Sequence, residues 1–309
     1  MRAWGGLAAP SSILFAMATS ATPPNAAYLQ RVKGALWGCL AGDGLAMPVH
    51  WYYSLAQLQH DFPGGIRQYE APVSKFPGSI MSLSNTGGGG RGSDQGSIVG
   101  DVILHGKKKF WKRGGNFHYH HGMRPGENTL EAQLMRLVVR SLTASSGALD
   151  AAALRKGYID FMTTEGSHND TYASTCHRMF FANMQAGVPP ERCPDNDQHN
   201  VDTMDGMVMA IPLMLAQARD GDGTTGGDGG GGAHDAQIRE LIGVTRNSRQ
   251  CGDYAVVLSS IFRRVLQAPT SADPAAVLRD AVEDAASRHF RMDLKGEVAR
   301  AGRSDPMTA

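Results

Sequence analysis

Four polar clusters carry the side chains that could do chemistry along this 309-residue chain. Asp43 and His50 close a glycine-rich apolar stretch; an acid and an imidazole there could hold and move a proton, or Asp43 could be a satisfied structural carboxylate. His118, Tyr119, His120 and His121 lead into Gly126, Glu127, Asn128 and Thr129. The carboxylate, amide and hydroxyl oxygens of Glu127, Asn128 and Thr129 suit a hard divalent cation, although Asn128 could simply cap a helix while the histidines stay solvated. In the third cluster, His168, Asn169, Asp170 and Thr171 enter another helix, where Asp170 could cap it or the free N–H groups could receive a phosphate. The fourth, residues 195–205, holds Asn200, Asp202 and Asp205; its acidic spacing lacks the central glycine and terminal glutamate of an EF-hand.

These clusters need rigid elements to hold them, and the periodicity supplies helices. Residues 29–46, LQRVKGALWGCLAGDGLA, repeat apolar side chains at helical spacing until Pro48 stops them. Gly34, Gly38, Ala41 and Gly42 suggest a seam for close helix packing. A second helix is predicted from Thr129, with Leu130, Leu134, Leu137, Val138 and Leu142 on one face and Asn128 with Glu131 as a capping pair. Further helices are predicted over 155–162, 172–185, 206–218 and 275–290, and through Tyr254, Val257, Leu258, Ile261, Phe262, Val265 and Leu266. No stretch alternates with period two, so the fold class is all-α, a compact orthogonal multi-helix domain over 31–309. Within it, the glycine-rich residues 220–233 read as a flexible surface insertion.

Composition excludes several partners. Thirty Lys+Arg against 29 Asp+Glu give a net charge of +1, which draws the protein neither to nucleic acid nor to an anionic membrane. Cys39, Cys176, Cys193 and Cys251 form no CxxC pair, against both a zinc ribbon and a disulfide scaffold. Residues 1–30 contain no acid and read as a disordered leader, either an organellar transit peptide or an extension ahead of a start at Met17; without an organellar address the protein is cytoplasmic. The apolar run at 12–17 is too short to span a bilayer.

The order of the clusters resembles the ADP-ribosylglycohydrolase superfamily. GALWGCLAGDGLAMPVHW resembles the family's opening helix, G-A-L-x-G-x-A-x-G-D-A-L-G-x-P-x-E, and GENTLEA stands where the family carries T-D-D-T. GSHNDTYASTCHRMFFANMQAG resembles the substrate loop and the helix after it, and HNVDTMDGMVMAIPLMLA resembles the segment G-N-G-x-x-M-R-x-x-P-L. The resemblance implies a hydrolase that removes ADP-ribose, or a related ribosyl group, from a protein or small-molecule conjugate, assisted by two Mg2+ or Mn2+ ions. It implies catalytic roles for Asp43, His50 and Glu127, metal ligation by Glu127, Asn128 and Thr129, and substrate contacts from His168, Asn169, Asp170, Asn200 and Asp202. Asn128 replaces an aspartate and His50 a glutamate of the family pattern, and the family's C-terminal D-x-D-T has no counterpart before Ala309. The resemblance therefore implies a C-terminally truncated domain with part of its metal shell missing. The alternative is a catalytically inactive binding or structural relative on the same scaffold.

Overall fold

The computed structural model describes residues 26–92, 96–194, 202–218 and 232–304. Residues 1–25, Asn200 and all but the last two residues of the expected insertion at 220–233 lie outside that set. Helix α1, Ala26–Ala46, begins ahead of the expected Leu29 and takes in residues 26–30 of the expected disordered leader. Its buried Tyr28, Val32 and Leu36 pack against Met135, Ile211, Leu215 and Leu266. Arg31 ties its other end of contact, donating from its guanidinium to the carbonyls of Val265, Leu266 and Ala268, which the C-terminus of a later helix leaves without partners.

The expected glycine seam is not the packed face of α1. A Cβ built on Gly34, Gly38 or Gly42 would meet nothing within 4 Å, because those residues lie off the Tyr28, Val32, Leu36 stripe. The close approach belongs to Gly44 instead, where a Cβ would stand 3.1 Å from the Tyr69 ring and 3.4 Å from the Gly126 carbonyl. This contact lays the end of α1, with Asp43, against the turn at Gly126.

After α2, Leu55–Asp61, the chain runs through short turns to α3, Leu130–Ala144, then α4, Ala151–Thr163, and α5, Thr175–Gln185. The apolar face of α3, with Leu130, Leu134, Val138 and Leu142, meets Leu154, Tyr158 and Met162 of α4 and Phe180 and Phe181 of α5 in one core. Each such side chain contributes about 1.5–3 kcal/mol when fully buried. The single helix expected over 206–218 is two, α6, Asp205–Val208, and α7, Ile211–Gln217. Pro212 explains the break, since it has no N–H to offer Val208 and its ring crowds that carbonyl. Helix α8, Ala233–Ile242, adds Ile238, Leu241 and Ile242 to the core; α9, Arg249–Gln267, α10, Pro274–Phe290, and α11, Leu294–Ser304, complete the order.

The fold is all-α, as expected: among the described residues only isolated bridges, such as Lys75 with Phe117, represent β-structure. No described helix is long and apolar enough to cross a membrane.

Candidate active site

Helix α3 opens with N–H groups that its own cap leaves unmet: Thr129, not Asn128, is the N-cap, and its side chain makes no capping bond. Two carboxylates from distant segments supply the acceptors. Asp43 accepts from the Thr129 N–H at 2.8 Å, the Thr129 hydroxyl at 2.6 Å and the Asn128 Nδ2 at 3.0 Å. Asp170 accepts from the Leu130 N–H at 2.7 Å. The positive end of the helix dipole favours both charges. The expected capping pair is thereby dissolved, with the Asn128 amide also donating to the Leu40 carbonyl and Glu131 turned toward His177.

Asp170 also accepts from the N–H groups of Thr171 and Tyr172, which spends the loop that would otherwise have been the first turn of α5 and moves that helix start from Tyr172 to Thr175. Its fourth donor is His120 Nδ1, at 2.8 Å. Burial alone would raise this carboxyl, but the neighbouring His120 and these hydrogen bonds hold it at about 2. Asp170 is thus a saturated, buried anion rather than an open substrate contact.

From Asp170 a relay runs outward. A carboxylate only accepts, so His120 Nδ1 carries a proton, and in neutral His120 the Nε2 lone pair faces His50 Nδ1 at 2.6 Å. His50 therefore donates from Nδ1 and keeps the lone pair on Nε2, on a residue that is exposed to solvent. The two ring planes are 13° from parallel with centroids 4.9 Å apart, the edge-to-edge placement that this hydrogen bond requires. The protein around its ring, then the adjacent His120, hold His50 below the usual histidine range, against the pull of Asp170.

His118 and His120, two of the histidines expected to be solvated, are buried. His118 is 0% exposed, accepts from the His120 N–H, and is pushed down to about 3 by burial and then by His120. The sign of the pH effect follows. Unfolded, this histidine takes a proton at about pH 6.5; folded, it resists to a much lower pH, so its contribution is complete above about 6.5 and falls as the pH drops toward the folded value. Thermal unfolding should shift to lower temperature between pH 7 and pH 5, with His118 supplying at most ~1.4 kcal/mol per pH unit. His118→Gln should flatten that slope, and an unchanged slope would count against this origin.

The remaining expected site residues divide. Glu127 turns away from Asn128 and Thr129: Oε1 accepts from the Arg124 guanidinium at 2.8 Å, and Oε2 from the Arg124 N–H at 2.8 Å and Asn169 Nδ2 at 2.9 Å. These bonds, with the Arg124 charge, outweigh burial and lower its pKa. Asn169 also accepts from Lys107 Nζ through its backbone carbonyl at 3.0 Å. His168 stacks on Phe161, and its Nδ1 is buried without a hydrogen-bond partner. Asp202 accepts from the Ser248 hydroxyl, which caps the start of α9. Asn200 lies outside the described residues.

This arrangement decides the fit to a divalent cation. Glu127 is spent on Arg124 and Asn169, Asn128 presents N–H groups, and both oxygens of Asp43 are taken by Asn128 and Thr129. Among the described residues, no three His, Cys, Asp or Glu side chains are placed to hold a metal ion. The expected ligands Glu127, Asn128 and Thr129 do not fit a two-cation shell.

Behind the relay lies a second polar group with no clear signal in the sequence. His177, 0% exposed at its side chain, lies 3.0 Å from Glu131 Oε1 through Nε2 and 2.8 Å from the Tyr158 hydroxyl through Nδ1. Against the cost of burial, Cys176, Tyr158 and Glu131 hold it well above the usual histidine range. Arg246 donates to Asp205 at 3.0 Å and lies so tightly over Gly206 that a Cβ there would come within 2.7 Å of the guanidinium. Its Nε and Nη2, with Glu131 Oε2, are buried without hydrogen-bond partners.

An all-helical domain that gathers carboxylates and histidines at one helix start has the means to hold a polar ligand and move a proton. The family model for ADP-ribosylglycohydrolase matches residues 24–308, and the chain belongs to that family, whose activity is hydrolysis of glycosidic bonds. No curated protein and no solved structure matches the chain.

Proposed function

We propose that the protein releases ADP-ribose, or a closely related ribosyl group, from a protein or small-molecule conjugate, with His50 as the base. The observation that carries this reading is the line from Asp170 through His120 to His50, whose Nε2 keeps its lone pair. In the proposed step His50 Nε2 takes a proton from the attacking water, the water oxygen bonds to the anomeric carbon, and the glycosidic bond breaks with its electron pair leaving on the acceptor. Charge gained by His50 is offset through His120 by Asp170. Asp43 holds the start of α3 in register and is a positioning residue in this scheme. The test is a panel of arginine-, serine- and carboxylate-linked ADP-ribose conjugates, with free ADP-ribose resolved by chromatography. Turnover of at least one linkage supports the reading, and none across the panel removes it.

One observation favours a second reading, a binding relative without turnover. Asp43, Glu127 and Asp170 already accept from donors of the protein itself. Manganese titrated calorimetrically should accordingly bind weakly, in the range of about 10⁻⁴ M or weaker that open, low-charge sites give. Tight stoichiometric binding would show that the side chains rearrange around an ion, and would return Glu127, Asn128 and Thr129 to the metal role.

A further inference from the structure

Between Asp101 and Glu127 the chain contains no acidic residue, yet it carries Lys107, Lys108, Lys109, Lys112, Arg113 and Arg124. In a protein whose charges otherwise nearly cancel this is a local excess, and the fold concentrates it. Residues 74–76 run antiparallel to 116–118, joined by bonds from the Phe76 N–H to the Asn116 carbonyl and from the His118 N–H to the Ser74 carbonyl, which sets Lys75 opposite Phe117. The turn Lys108–Trp111 is anchored by the buried Trp111, whose Nε1 donates to the Thr171 carbonyl, and it brings Lys109 and Phe110 to the same place.

There the rings of Phe110, Phe117 and His121 pack as a triad: the Phe110 centroid lies 5.0 Å from Phe117 and 4.5 Å from His121, and Phe117 lies 4.8 Å from His121. Lys75 Nζ stands 4.6 Å from the Phe117 centroid and Lys109 Nζ 5.1 Å from that of Phe110. A ring face holds an ammonium in position without cancelling its charge. Burial, then the charges of Lys107, Lys75 and Lys109, hold His121 below the usual histidine range against the pull of the Ser74 carbonyl. Lys107 joins the group through its bond to the Asn169 carbonyl, while Asn169 Nδ2 donates to Glu127. Among the described residues Lys156 and Lys295 pair with carboxylates, but Lys75, Lys107 and Lys109 do not.

The chemistry of these cations selects the class of anion. Phosphate recognition favours the bidentate fork of arginine, whereas an ammonium is a point charge that meets a single carboxylate as well. Phe110 and Phe117 are half-buried beneath the lysines and leave no open platform for a base to stack on. A net charge of +1 supplies no wider field to hold a nucleic acid or an anionic membrane. The surface also borders the relay, since His121 directly follows His120 and Asn169 directly precedes Asp170.

We propose that Lys75, Lys107 and Lys109, set on the triad of Phe110, Phe117 and His121, form a docking surface for an acidic segment of a partner protein. The inference rests on the hydrolase reading only in naming that partner as the protein part of the conjugate, and it deepens that reading by selecting conjugates whose modified residue has acidic neighbours.

The full chain should be titrated with a fluorescent hexaglutamate peptide, and with hexaglutamine, oligothymidylate and phosphatidylserine vesicles. Hexaglutamate should bind and hexaglutamine should not, and raising the salt from about 50 to about 500 mM should weaken the peptide at least about ten-fold. Lys75→Glu combined with Lys109→Glu should weaken it at least about ten-fold, because two exposed ion pairs are replaced by repulsion. Arg249→Glu combined with Arg279→Glu changes the net charge equally on α9 and α10 and should leave binding intact. All four side chains are exposed, so both double variants should unfold at the wild-type temperature. Hexaglutamate that fails to bind, or that binds the lysine variant as it binds wild type, overturns the surface, and so does equal weakening in the arginine variant. Tighter binding of oligothymidylate or of vesicles than of the peptide overturns it too, by assigning the patch to a nucleic acid or a membrane. Failure of the surface and failure of the hydrolase reading are distinguishable. Peptide binding lost only in the lysine variant, without turnover of any conjugate, keeps the surface and removes the hydrolase reading; turnover of an acid-flanked conjugate with the same KM in wild type and the lysine variant does the reverse.

Discussion

Asp170→Ala is expected to lower the stability of the protein by about 3–5 kcal/mol, the cost typical of removing one partner from a buried, hydrogen-bonded charge pair. The carboxylate is 2% exposed and accepts from His120 Nδ1 and from the N–H groups of Leu130, Thr171 and Tyr172. Alanine leaves all of these donors buried and unmet, and it removes the negative charge from the positive end of α3. Urea unfolding reads the difference directly. Asp202→Ala is the matched control: Asp202 is exposed, with the Ser248 hydroxyl as its partner, and its loss should cost about 1 kcal/mol or less. Equal midpoints for the two variants would mean that Asp170 does not organise the site.

Much of the helical framework can be read from the sequence, because burial leaves a period. Leu130, Leu134, Val138 and Leu142 repeat on one face and are all buried in α3. The misreadings have local causes. Gly34, Gly38 and Gly42 looked like a packing seam because small residues permit close approach, but permission is not contact, and Gly44 is the residue that makes it. Pro212 stood inside an otherwise continuous apolar stretch, and its effect on the helix ladder outweighed the periodicity.

The site is less legible, because its contacts join residues far apart in the chain. Asp43 and Asp170 each stand out as acids next to helices, yet nothing in either segment says that both reach the same helix start. Local rules assign that start to Asn128, the nearest capping residue; tertiary contacts give it to two remote carboxylates. The HYHH run marks a concentration of imidazoles, but only the packing distinguishes His120, which links Asp170 to His50, from His121 directly after it. Glu127 has the residue type of a ligand and stands at the expected place, but Arg124 three residues before it claims the side chain. Trp51 ends the opening segment and Tyr53 lies just beyond it; the pocket they share becomes visible only when Tyr119 and Tyr172 are brought beside them.

His50→Gln carries the second large effect. Glutamine retains a polar group beside His120 but cannot take a proton from water, so hydrolysis should fall by about 10²- to 10⁴-fold, the usual contribution of a positioned base. The urea midpoint should change little, since His50 is exposed and its replacement leaves all four donors of Asp170 in place. His120→Gln should lower the rate through the loss of the link to Asp170, and the two substitutions together should cost little more than the larger of them, because residues that act as a unit are not additive. The measurement that bears most directly on the account is therefore the single-turnover rate of ADP-ribose release at pH 7, for wild type and His50→Gln on the same conjugate. The account predicts release by wild type and a rate at least about a hundred-fold lower in the variant; equal rates in the two proteins would contradict it.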